Sequence, residues 1–231
     1  MKIICLANSY KHNGRCIAGI DKTGRWVRPV SSSQKRAIDK ETRIIDGTEP
    51  QILDVLDIPL HAHGPVDGCQ PENKLLKTGQ WKRIGRVKPE DLLKYSEADS
   101  VVLHNNRDHV PASCFRMIPS YGWKSLQLIH NENVVFQPDE NNKTKWRANF
   151  TNSKGTALSL RVTDPVACKR LEQGENISKN CLLTVSIAPG WSPDKKTSKK
   201  CYKFVAGVVE LPKSKSTAKC SMYGLNIKCQ P

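Results

Sequence analysis

Short apolar runs, β-branched or alternating and parted by turns, constrain this chain more than any other feature. They fall at 2–8, 15–20, 26–30, 51–60, 125–130, 145–150, 156–162, 181–187 and 201–211, and a further one at 101–104 adds a candidate strand. None approaches the ~20 apolar residues of a membrane span, and none keeps a 3.6-residue period over helical length. Two short helices are predicted. One, over 89–95, opens on Pro89 with Glu90 and Asp91 where the helix dipole favours acids; the other, over 165–171, has Asp164 at its N-cap and Pro165 at its first position. A short helix around 35–40 is a further candidate in the polar stretch 31–49. The sum is an all-β fold with short helices. Residues 111–122 read as a connection, which divides the strands into a first unit over 1–110 and a second over 111–211. Each is about the size of an OB-fold, the five-stranded, partly open barrel, so the architecture expected is two tandem OB-like barrels. Residues 212–231 hold four lysines and no acidic residue and read as a basic C-terminal tail.

Charge narrows the partners. Lys and Arg number 37 against 22 Asp and Glu, a formal net charge of +15. So large an excess on one small protein suits a polyanion, and nucleic acid is favoured over an anionic membrane. Met1–Ala7 is too short an apolar run for a secretory signal and reads better as a first strand, so a cytoplasmic protein is expected. Nine scattered cysteines with no C-x-x-C pair then act as small core hydrophobes, and no metal and no cofactor are expected. The glycine-rich phosphate loop, the nucleophile elbow and the H-E-x-x-H helix are all absent, which argues against an enzyme. Asp54 and Asp57 are the carboxylates a metal-dependent nucleic-acid enzyme would use, but a spacing of three puts them on opposite faces of a regular strand.

The candidate site residues pair aromatic rings with cations. Trp26 and Arg28 share one strand face two residues apart, with Arg25 on the other face and Arg15 on the preceding strand. Trp81 is followed by Lys82 and Arg83, Trp123 by Lys124, and Trp146 by Arg147. A ring that stacks on a base beside a cation that meets a phosphate is how single strands are held without sequence preference. The competing reading is that these tryptophans are core and their basic neighbours alternate outward by ordinary strand period. Lys195, Lys196, Lys199 and Lys200 lie with one Asp194 in a long loop between two strands, where OB-folds flank their nucleic-acid groove.

Several phrases together resemble the dual OB domain family of bacterial proteins. In the first half these are Met1–Ser9, Gly14–Gly19, Trp26–Ser31, Leu53–Leu60 and Gln70–Asn73; in the second, Leu160–Pro165, Leu183–Ser186 and Cys201–Val209. The resemblance spans about residues 1–211. It implies two OB-like barrels, a nucleic-acid-binding role and an association with bacterial conflict or defence gene clusters; it implies no catalytic residue. The function expected is therefore non-enzymatic nucleic-acid binding, single strands favoured, with a protein partner in a multi-component system as a further expectation. One alternative is an adaptor that recruits a nuclease or ATPase partner, and another is the metal-dependent enzyme.

Overall fold

Alternation of apolar and polar side chains builds two sheets in this structure, a computed structural model that describes residues 1–11, 14–117, 119, 122–194 and 197–212. The first sheet holds β1 (Lys2–Lys11), β2 (Gly14–Ile20), β3 (Trp26–Val30), β4 (Asp54–Asp57), β5 (Asn73–Leu75) and β6 (Lys82–Arg86) in the order β5-β3-β2-β1-β4-β6. β7 (His109–Pro111), β8 (Leu126–Asn131), β9 (Val135–Pro138), β10 (Trp146–Thr151), β11 (Ala157–Val162), β12 (Cys181–Ile187) and β13 (Lys200–Glu210) form the second. Its order is β8-β12-β13-β11-β10-β9, with β7 against β13. Among the described residues neither sheet closes into a continuous ring. The fold is all-β with two OB-type units.

Helices are few and short. α1 (Lys40–Arg43) is capped by Asp39, whose side chain accepts from Thr42 N at 2.7 Å, and so begins where the sequence reading ended its helix. A 3₁₀ turn spans Pro89–Tyr95, and α2 covers Cys114–Met117. α3 (Pro165–Glu172) starts where its cap residues place it, with Asp164 accepting from Val166 N and Ala167 N at 2.9 and 3.2 Å. No helix among the described residues is long and apolar enough to cross a membrane. The strand expected at 101–104 is absent. Leu103 and His104 have φ of 46° and 71°, left-handed backbone that no strand tolerates, and Val102 and Leu103 turn into the second core instead.

The outer face of the first sheet is covered by the second unit. Leu6, Ile20 and Leu92 pack with Leu128, Leu182 and Val209 in one buried cluster, and Ala7 and Ala18 meet Leu126 and Ala206 in another. Polar groups stitch the same seam: Thr184 Oγ1 donates to Leu6 O at 2.7 Å, Gln70 Nε2 to Ile187 O at 2.9 Å, and Tyr10 N to Thr163 O at 3.2 Å. A seam so apolar resembles a domain core more than a transient contact, and it fixes how the two units present their surfaces.

Lys203 closes the second core from inside. It is buried, and its ammonium donates to Val102 O at 2.6 Å, Asn105 O at 2.5 Å and Asn105 Oδ1 at 2.9 Å, which holds the irregular stretch after residue 101 against β13. Burial pushes its pKa down from the ordinary 10.5 to about 7. Between those values the unfolded chain holds a proton that the folded chain gives up, so stability rises with pH across that window and is lowest below it. We expect urea unfolding to show a gain on the order of 2 kcal/mol from pH 7 to pH 9 that Lys203→Met abolishes. An identical slope in the variant would contradict this assignment.

Candidate nucleic-acid interface

Among the described residues the expected aromatic and cationic side chains do not form one surface, because the strand period says which residues share a face but not what covers that face. Arg28 does lie with Trp26, but on the side packed against the second unit: Arg28 is 0% exposed and donates to Ser125 Oγ at 2.9 Å and Ser186 Oγ at 3.2 Å. A solvent-facing contact through Arg28 is therefore corrected to a seam residue. Trp26 is half-buried, with Nε1 donating to Glu97 Oε1 at 3.4 Å, and Lys124 is ion-paired to the same Glu97. Trp81 is corrected as well. It is 5% exposed and belongs to the first core, where an indole buries a large apolar area.

Trp123 and Trp146 are half-buried and pack against the second core, Trp123 edge-on to Phe115 with ring centroids 6.1 Å apart. Lys82 and Arg83 are exposed on β6, and Arg83 donates to Asp54 Oδ2 at 2.8 Å. Arg25 is exposed and ion-paired to Asp21 at 3.0 Å. Arg15 stacks on Tyr10, its Cζ 4.2 Å from the ring centroid. Lys199 is exposed and Lys200 half-buried; Lys195, Lys196 and the tail from 213 lie outside the described residues.

The outer face of the second sheet does bring several rings and cations together. In β10 and β11 Arg147 stands opposite Arg161, and in β11 and β13 Arg161 stands opposite Phe204. Period two puts Tyr202 on the same face. Beyond it Trp191 and Lys200 pair, exchanging backbone hydrogen bonds at 2.8 and 2.9 Å. This sets the Trp191 ring 6.3 Å from Tyr202 at a tilt of 55°. Trp191 is 58% exposed, unlike the other four tryptophans. These side chains line a cleft of about 360 Å³ with Ser159, Asp108, Ala188 and Pro189.

The electrostatics of the cleft are uneven. Arg147 is held by Asp139 at 3.0 Å and by Ser159 Oγ at 2.8 Å and O at 2.5 Å. Arg161 has no ion pair among the described residues, and its Nε is buried without a partner. Like charges directly across a strand pair repel. An anion beside the Arg161 guanidinium would relieve that repulsion. Trp191, Tyr202, Phe204 and Arg161 are the residues that the tryptophan–basic pairing in sequence passes over. The signal that would have found the last three is aromatic and basic side chains at the outward positions of strands that were themselves legible.

No match is found among curated proteins. The family model described as the dual OB-containing domain matches residues 1–208, which takes in both sheets except the last two residues of β13. With two OB-type units in tandem and that match over most of its length, the chain belongs to the dual OB-containing domain family.

Proposed function

We propose that this protein binds single-stranded nucleic acid on the outer face of its second unit, without a catalytic step. The fold is one typical of nucleic-acid binding. The observation that carries the reading is the exposed Trp191 and half-buried Tyr202 pair beside Arg161, which has no ion pair among the described residues. Bases stack on the rings, Arg161 takes a phosphate, and Lys199 and Lys200 at the mouth of the loop add charge that is not specific to sequence. Duplex is disfavoured, since its bases are already stacked on one another. The carboxylate that the metal-dependent alternative needs is engaged elsewhere: Asp54 is 2% exposed and accepts from Arg83 at 2.8 Å and Arg86 at 2.7 Å.

Anisotropy titration of labelled single- and double-stranded oligonucleotides at several salt concentrations tests this. Trp191→Ala and Arg161→Ala should each weaken single-strand binding by about 5- to 100-fold, the worth of one stacked base or one phosphate contact. Arg161→Ala should also flatten the salt dependence by about one phosphate, and Trp191→Ala should leave it unchanged. Parental affinity in both variants would overturn the proposal.

A further inference from the structure

The cleft at Trp191 and Tyr202 holds a group that a surface for phosphates alone does not need. Among the described residues that line it, Asp108 is the single acid, in walls otherwise made of rings, cations and small or apolar residues. Its side chain is 51% exposed, so its oxygens are open to a ligand.

The fold fixes where this carboxylate stands. Asp108 directly precedes β7, where His109 lies opposite Tyr202 of β13. The Asp108 carbonyl accepts from Lys203 N at 2.8 Å, which ties its backbone to the same strand. His109 Nδ1 donates to Asp108 Oδ1 at 2.7 Å, and the imidazole tilts against the Tyr202 ring with centroids 5.7 Å apart. Carboxylate, imidazole, phenol and indole thus follow one another by contact along the cleft. Asp108 Oδ2 has no hydrogen-bond partner among the described residues. Nor is the carboxylate needed to hold the neighbouring Lys203 ammonium, which is bonded to Val102 O and to both oxygens of Asn105.

A carboxylate repels phosphate, so it weakens a cleft that takes only backbone anions. It strengthens one in which it accepts N–H groups from a base edge. Guanine alone among the common bases presents two adjacent donors on one edge, its N1–H and its exocyclic amine. Adenine and cytosine set a ring-nitrogen acceptor beside their amine, and thymine and uracil flank N3–H with two carbonyls. We infer that Asp108 makes this cleft selective for guanine, an inference that rests on the reading of the cleft as a single-strand site. The base stacks on the rings, its N1–H and amine donate to the Asp108 carboxylate, and His109 holds that carboxylate in place.

Anisotropy titration of the full chain with an oligothymidylate strand carrying one central test base measures the selectivity. Central guanine should bind about 5- to 100-fold more tightly than adenine, cytosine or thymine, the worth of one bidentate base contact. Hypoxanthine, which keeps N1–H and lacks the amine, should fall between. Asp108→Asn, an exposed change of equal volume, should remove the guanine preference and leave the all-thymine strand bound at least as tightly. Equal affinity for every central base would overturn the inference. So would a guanine preference that survives in Asp108→Asn with all strands tightened alike, since the carboxylate would then act only as a repelling charge. Both results leave the single-strand reading standing. No binding of any strand, or parental binding by both Trp191→Ala and Arg161→Ala, would overturn that reading and the inference with it.

Discussion

Gly207→Ala is expected to destabilise the protein by about 3 kcal/mol or more, or to leave it unable to fold. A Cβ at this position would lie 2.1 Å from the carbonyl oxygen of Leu6 and 3.1 Å from Ile52 Cδ1. The first neighbour is backbone and cannot rotate away, so the only relief is to move β1 from β13. That carbonyl also accepts the Thr184 hydroxyl, and the clusters around Leu6 and Ala7 close the seam on either side of it. Separation would thus break a buried hydrogen bond and open apolar contacts together. Gly85→Ala is the control: on the exposed strand β6 its Cβ would meet nothing nearer than Val55 at 3.9 Å, and its effect should stay within about 0.5 kcal/mol. Urea unfolding of both variants reads the difference, and equal stability would mean the two sheets are not in backbone contact there.

Arg28→Ala should cost about 3–5 kcal/mol. The guanidinium is fully buried, and besides its two serine hydroxyls it reaches Ser125 O at 3.5 Å. Ser125 is itself gripped by Glu72, which accepts from its N and its Oγ at 2.7 Å each. Glu72 and Arg28 therefore balance one another's charge through a shared serine, with one unit supplying both ions and the other the hydroxyl between them. Removing the cation leaves a carboxylate facing a low-dielectric seam and three acceptors without their donor. Arg28→Met keeps the volume but not the charge and should recover less than half of the loss. Ser125→Ala should cost about 1–2 kcal/mol, since both ions persist. Full stability in Arg28→Ala would show that the seam is held by its apolar clusters alone.

How much of this was legible depends on which force sets each feature. Strand positions from β1 to β3 and from β10 to β13 follow from alternation and turn residues, local properties that the chain displays directly. So does α3, whose Asp164 and Pro165 fix its first turn. β5 and β9 escape because they are short, and β5 also pairs with a strand some 45 residues back in the chain. Trp26 and Arg28 show the deeper limit. Their spacing places them on one face correctly, yet burial of that face is decided by Ser125 and Ser186, roughly a hundred or more residues away. Trp81 fails likewise, because an indole followed by two cations reads the same whether it caps a core or faces a ligand. Trp191 was visible only as the start of a lysine-rich stretch; its place beside Tyr202 is set by its backbone bridge to Lys200.

Ultraviolet cross-linking of a thymine-rich single-stranded oligonucleotide to the full chain, with the attached residues mapped by mass spectrometry, tests most directly where the strand lies. Attachment at Trp191, Tyr202 or Phe204, suppressed as salt rises, is the result predicted. Attachment confined to the first unit, or spread evenly over both, would contradict a strand seated on the outer face of the second sheet.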